Sequence, residues 1–226
     1  MSGCARALER LGLPTCPKII PSPTCRPRKP RRQMTYPGER IQVDVKIVPD
    51  ECLSLDLIRR HPHIRLYQYT AIDEYTRLRT LAASDSYDLR SSSLFLGQIV
   101  AFFGRHGVKV ERILTDNGRA FVGDMTDPVA NSHNEFEQMA RHFGIRLERI
   151  RPYHPAHNAK VERSHREDQR LLYSEIIRKG DLITDMADFK KRLKKHQIHT
   201  NDRPMQLLGL LSPLEYLERY KHEHPF

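Results

Sequence analysis

Tryptophan is missing from this chain altogether, cysteine occurs only four times, and no stretch of about eighteen consecutive apolar residues occurs anywhere. The last absence argues against a membrane-spanning helix. The N-terminus also lacks the apolar core of a secretory signal, so a cytoplasmic protein with no membrane partner is expected. Cys4, Cys16, Cys25 and Cys52 fall at irregular spacings, without the paired C-x-x-C or H-x-x-x-H of a structural zinc site, which predicts reduced thiols. His61 and His63, near Cys52, read more simply as a solvated His-Pro-His loop than as metal ligands. Acidic residues are in deficit: 28 Asp and Glu face 38 Lys and Arg, for a formal net charge of +10. A surface of that sign favours a polyanion over acidic proteins or neutral metabolites.

The charge is unevenly placed. Residues 1–40 hold nine Lys/Arg against Glu9 and Glu39, so this arm carries seven of the ten net charges and alone could make binding to a polyanion strongly salt-dependent. Seven prolines, from Pro14 to Pro37, fix its backbone and remove hydrogen-bond donors, so residues 1–37 read as an extended basic linker. A short helical piece, Ala5 to Leu11, reads as the tail of an upstream DNA-binding helix-turn-helix unit, which makes an incomplete or truncated protein the expectation.

Order is expected from about Glu39. Ile41, Val43, Val45 and Ile47 alternate with Gln42, Asp44 and Lys46, the period of a strand with one apolar face. Ile64–Ile72 and Leu78–Ala83, joined through Asp73-Glu74-Tyr75-Thr76, continue it as an antiparallel meander. Leu89, Leu96, Val100 and Phe103 mark a helix stopped by Gly104 and Gly107. Val108–Thr115 reads as a strand, Phe136–Phe143 as a short helix, Ile145–Ile150 as another strand. Helices are expected over about Ala159–Arg178 and Met186–His199. The order β-β-β-α-β-α-β-α-α predicts one α/β domain, a mixed sheet flanked by helices, with residues 38–180 as the core and 181–226 as a helical extension.

Three acids stand in distinctive settings: Asp44 at a strand centre, Asp116 of Thr115-Asp116-Asn117-Gly118 at a strand end, and Glu162 at a helix start. On so basic a chain, three carboxylates suggest a divalent-metal site that cuts and joins nucleic acid, because Mg²⁺ takes hard oxygen ligands and a pair of such ions serves in-line phosphodiester displacement. Each acid also has a bland reading. Asp-Asn-Gly is a favourable turn, Asp44 could be a polar residue on the exposed face of an edge strand, and Glu162 could complement a helix dipole. Asp73, four residues before Arg77, reads as a structural turn or ion pair.

The chain resembles the DDE integrase core shared by insertion-sequence transposases and retroviral integrases. The resemblance runs from Pro37-Gly38-Glu39-Arg40-Ile41-Gln42-Val43-Asp44 through Ala71–Arg77, Thr115–Gly118 and Arg151–Pro155 to Asn158-Ala159-Lys160-Val161-Glu162-Arg163. It closes on Asn201-Asp202-Arg203-Pro204 and Ser212-Pro213-Leu214-Glu215. It implies a ribonuclease H-like fold, metal-holding catalytic roles for Asp44, Asp116 and Glu162, Mg²⁺ with Mn²⁺ as substitute, transposon-end and target DNA as partners, and a homo-oligomer on DNA. Lys160, Arg163, Arg166 and Arg170 are candidate phosphate contacts around Glu162. Asn117 and Tyr153 are candidate DNA-end contacts, and His154 is a loop-structuring residue. The bland alternative for the basic residues is a solvated surface salt-bridged through Glu167 and Asp168.

Asp116 and Glu162 are 46 positions apart, wider than is usual in that family, with Gly123–Asn134 as the inserted surface loop. Ala159 stands where the family commonly has glycine. A catalytically idle DNA-binding remnant and a ribonuclease H-like nuclease on RNA–DNA hybrids are the rival readings.

Overall fold

The computed structural model describes Leu11 and residues 33–123, 134–150 and 158–225. All but Leu11 of the expected helix at Ala5–Leu11, nearly all of the Gly123–Asn134 insertion, and Tyr153 and His154 of the expected Pro152-to-Asn158 loop fall outside the described residues. From Gln33 onward the chain forms one compact unit.

The alternation at Ile41 produces strand β1 (Ile41–Ile47), followed by a short helix α1 (Leu55–Arg60), β2 (Tyr67–Asp73), β3 (Arg79–Ser84) and α2 (Leu89–Arg105). Next come β4 (Arg112–Thr115), the one-turn α3 (Arg119–Val122), α4 (Glu135–His142) and β5 (Arg146–Arg149). The remainder is helical: α5 (Ala159–Asp168), a π-helical turn over Gln169–Tyr173, α6 (Ser174–Lys179), α7 (Met186–Asp202) and α8 (Pro213–Glu223). The five strands form one mixed sheet in the order β3-β2-β1-β4-β5. β1, β2 and β3 are the antiparallel meander read from the sequence, whereas β4 and β5 run parallel to β1.

β1 is therefore central, which corrects the edge-strand reading of Asp44. Its Ile41 and Val43 join Tyr69, Ala71 and Ile113 under α2, where Phe95, Leu96, Ile99 and Phe103 close an apolar layer that also takes Phe136 of α4. Helix α2 begins where the Asp88 carboxylate accepts the Ser91 N–H at 2.7 Å, and such a cap contributes about 1 kcal/mol.

The opposite face of the sheet carries Gln42, Asp44 and Lys46 and packs under α5. Around the π turn and α7 it has its own apolar patch, with Leu66, Leu81, Tyr173, Phe189 and Leu193 buried together. Between patch and helix lies a buried polar network. Asp168 accepts from Arg79 Nη2 and Gln68 Nε2, and its Oδ1 lies within hydrogen-bond distance of His196 Nε2, all at 2.7 Å. Asp168 is thus fully buried, and the expectation that it braces a solvated surface fails. Its partners are supplied by β2, β3 and α7.

An outer strand exposes unpaired backbone groups. Here α7 covers β3: Gln197 Oε1 accepts the Leu81 N–H at 2.8 Å, and the Asn201 amide both accepts from Arg79 N (3.0 Å) and donates to Arg79 O (2.7 Å).

Three departures from the sequence reading have local causes. β2 starts at Tyr67 rather than Ile64, because the preceding residues form α1, capped by the Ser54 hydroxyl on Leu57 N, and a turn after it. β4 is only four residues long. Lys109–Glu111 instead lies against the Pro37-Gly38 turn, where the Glu111 N–H donates to Gly38 O at 2.9 Å. A Cβ on Gly38 would stand 2.1 Å from Lys109 O, and its φ is +81°, so glycine is required there twice over. Finally, Ser212-Pro213-Leu214-Glu215 is a capping box that starts α8, a helix absent from the sequence reading.

Candidate active site

β1 and β4 pair in parallel with Ile41 opposite Ile113 and Gln42 opposite Leu114. Carried two residues further, that register sets Asp44 level with Asp116, at the carboxyl end of β4 where open α/β sheets place their ligands. The Asp116 carboxylate turns back to accept the Gly118 N–H at 2.8 Å, and the Asn117 amide donates to Ile150 O at 2.8 Å, tying this turn to the end of β5. Gly118 has an ordinary φ of −64°, so conformation does not demand it. Room does: a Cβ would stand 2.3 Å from the Tyr87 hydroxyl and 2.8 Å from Asp116 Oδ1.

Helix α5 brings Glu162 to the same face of the sheet. Its N-cap residue, Asn158, makes no side-chain cap, and the orphaned amides of Lys160 and Val161 both donate to Gln42 Oε1 at 3.1 Å. Gln42 lies two residues before Asp44 on the same strand face. One strand therefore supplies an acid and also anchors the helix that supplies another. Sequence reasoning passed over Gln42, which shares the polar face of β1 with Asp44 and Lys46 and carries no local mark of its role.

The electrostatics tie the three acids together. Burial pushes the Asp44 carboxyl up, the Val45 N–H at 2.8 Å opposes it, and the charges of Asp116 and Glu162 raise it further, to about 7. Tyr87 is raised as well, first by burial and then by Asp116 and Asp44. His165 Nδ1 lies 3.5 Å from Asp44 Oδ2. Burial drives that imidazole down to about 4, with Lys46 and Arg79 contributing, so it is neutral at pH 7, and its Nε2 is buried without a partner. Nothing local in the sequence marked it.

Among the described residues no three Asp, Glu, His or Cys side chains stand close enough to form a ready metal-ligand group. The donor chemistry nonetheless fits a hard divalent cation. The acids are oxygen donors only, and the charges of Asp116 and Glu162 add to the rise that burial causes at Asp44, a repulsion such a cation would relieve.

The basic candidates divide. Lys160 donates its ammonium to Glu74 Oε2 at 2.6 Å, and Arg40 holds the other oxygen of the same buried carboxylate at 2.5 Å. Although burial works against it, these two cations keep Glu74 below its ordinary pKa. Arg163, Arg166 and Arg170 are exposed. Asp73 is fully buried and accepts from Gly38 N, Thr76 N and Thr76 Oγ1, at 2.7–3.0 Å, the structural turn read from the sequence.

A five-stranded mixed sheet with helices on both faces and acids at its centre is the ribonuclease H-like architecture expected from the sequence. The integrase core domain family matches residues 35–155, more than half of the chain, and the chain belongs to that family. Solved structures agree on the fold. An integrase chain in the simian T-cell lymphotropic virus intasome, in complex with PP2A regulatory subunit B56 gamma, superposes with a TM-score of 0.64 at 18% identity, covering 84% of this chain and 58% of that one. The HTLV-2 integrase catalytic core domain, in complex with magnesium, gives 0.57 at 15% identity, covering 82% of this chain and 99% of that one. The catalytic core domain of BIV integrase gives 0.57 at 17%, covering 82% and 97%. The chain thus spans little more than half the length of the intasome integrase. Among its described residues no helix is long and apolar enough to cross a membrane.

Proposed function

We propose that this chain is a DDE-type transposase of a bacterial insertion sequence, a cytoplasmic polynucleotidyl transferase that cleaves DNA at transposon ends and joins them to target DNA. The observation that supports the reading is geometric: the parallel register of β1 and β4 sets Asp44 level with Asp116, and Gln42 anchors the start of α5, which carries Glu162, on the same face of the sheet. In this reading residues 38–180 are the catalytic core, 181–226 its helical extension and 1–37 a basic linker.

Asp44, Asp116 and Glu162 would hold Mg²⁺, and the bound metal would supply activation of the attacking oxygen and stabilisation of the leaving oxygen. In cleavage, water oxygen bonds to phosphorus as the bond to the 3′ oxygen breaks, leaving a 3′-hydroxyl. In transfer that hydroxyl attacks a target phosphorus and the target's 3′ oxygen leaves, so phosphodiester bonds are conserved and no energy source is consumed. Arg163, Arg166 and Arg170 position phosphates, with Asn117 and Tyr153 at the DNA end; Lys160 would join them only by leaving Glu74. The likeness to an intasome chain and to cores solved as a dimer and a trimer supports a homo-oligomer on DNA.

Asp116→Asn is expected to lower nicking and strand transfer of labelled transposon-end DNA in Mg²⁺ or Mn²⁺ by at least about a hundredfold while leaving salt-sensitive DNA binding in place. Normal metal-dependent turnover by that variant sinks the assignment. Binding by the unmutated chain without any product would instead favour the idle remnant.

A further inference from the structure

Helix α5 advances about 100° per residue, so the flank bearing Arg163 and Glu167 lies roughly a third of a turn away from Glu162. That flank, continued by Arg170 in the π turn, is one wall of a cleft of about 790 Å³. The other walls come from Arg77 and Arg79, at the β2–β3 turn, and from Arg203–Leu207 after α7.

The cleft is cationic beyond its own means. Arg79 is neutralised by Asp168, yet its Nη1 is buried without a partner, on a side chain only 4% exposed. Arg203 reaches the single nearby carboxylate, Glu167, only at 3.6 Å. Arg77, at a φ of +67° that non-glycine residues seldom adopt, donates to Glu74 O at 2.8 Å; burial lowers its pKa, the charges of Glu74 and Asp73 oppose that, and Arg163 adds to the lowering. Among the described residues, Arg163 and Arg170 have no acidic partner within 4.0 Å. Arg163, Arg170 and Arg203 therefore share one carboxylate of the cleft lining, Glu167.

Apolar side chains share these walls: Ile72, Pro204, Met205 and Leu207, the last 68% exposed. Guanidinium groups match phosphate oxygens in fork geometry, and flat apolar surface receives the face of an unstacked base. A duplex keeps its bases stacked inside and cannot offer one to a cleft of this size. An acidic peptide would satisfy the arginines but leaves the apolar wall uncovered.

We infer that this cleft binds single-stranded nucleic acid, with a phosphate track that runs on from Arg163 and Arg170 to Arg203 and a base against Met205 and Leu207, beyond the acidic trio on the neighbouring flank of α5. It rests on reading the chain as a DNA-processing protein and adds a strand-selective site to that reading.

The test is fluorescence anisotropy of the full chain in EDTA, with a labelled single-stranded oligonucleotide and a duplex of the same sequence. Arg163→Gln combined with Arg203→Gln should weaken single-strand binding about tenfold and duplex binding about threefold or less. Leu207→Ser, which changes no charge, should weaken single-strand binding about three- to tenfold and spare the duplex. Thermal melts matching the unmutated chain establish that each variant is folded. Equal losses on both substrates, no effect of Leu207→Ser, or equal competition by a polyglutamate peptide would each overturn the inference. Asp116→Asn should bind the single strand normally here, so a failed strand-transfer assay and a failed cleft are told apart.

Discussion

Glu162 and Asp168 sit at the two ends of α5, and around them the fold treats buried carboxyl groups in opposite ways. Burial works against the charge of Asp168, but the His196 hydrogen bond and the Arg79 guanidinium overcome it and hold the group well below the usual carboxylate range. Asp44, under the same helix, is largely withdrawn from solvent with one backbone N–H, the neutral His165 and two more acids for company, and its pKa climbs to about 7. An acid whose partners are built into the fold is structural. One that the fold buries beside its own kind calls for a counter-charge from outside.

Breaking the satisfied end should have the largest effect. Asp168→Ala leaves Arg79 buried and uncompensated, and urea denaturation should show a loss of about 3–5 kcal/mol. A loss under about 1 kcal/mol would mean the network is dispensable.

Breaking the frustrated end should do the reverse. Because the folded Asp44 carboxyl binds its proton more tightly than the unfolded one, stability without metal must fall as pH rises from about 4 to about 7. Asp44→Asn removes that penalty and should raise stability at pH 8 in EDTA by about 2–4 kcal/mol, read as a higher Tm and a flatter pH profile. Added Mg²⁺ should recover the Tm of the unmutated chain and leave the variant unmoved. The finest effect is Glu162→Gln, which should lower the Asp44 titration midpoint in an NMR experiment by less than burial raises it, since Glu162 is the smallest of the causes acting there. An unchanged midpoint would separate the two residues.

The contrast also explains what the sequence could and could not convey. The β1 alternation, the Asp-Asn-Gly turn and the short meander are local patterns, written within a few residues, and they located β1 with Asp44 and the turn with Asp116, though not the central place of β1 in the sheet. Asp168 looked like half of a solvated Glu-Asp pair because its partners Gln68, Arg79 and His196 lie 100, 89 and 28 positions away. Lys160 read as a free cation for the same reason, with Glu74 86 positions before it. Gln42 as the support of α5 needed the strand and helix to be brought together first. Local rules read periodicity, and pairing across the fold is beyond them.

The π-helical turn at Gln169–Tyr173 sets these two ends in phase. A π turn holds one residue more than an α turn, so everything beyond it is rotated by about 100° relative to an uninterrupted helix. Upstream, Val161 and Ser164 face the sheet and leave Glu162 exposed; downstream, Tyr173 and Ile176 reach the apolar patch beneath α7. Deleting a single residue in that turn would put the anchor and the acid out of step. A chain so shortened could bury Tyr173 or present Glu162, but not both.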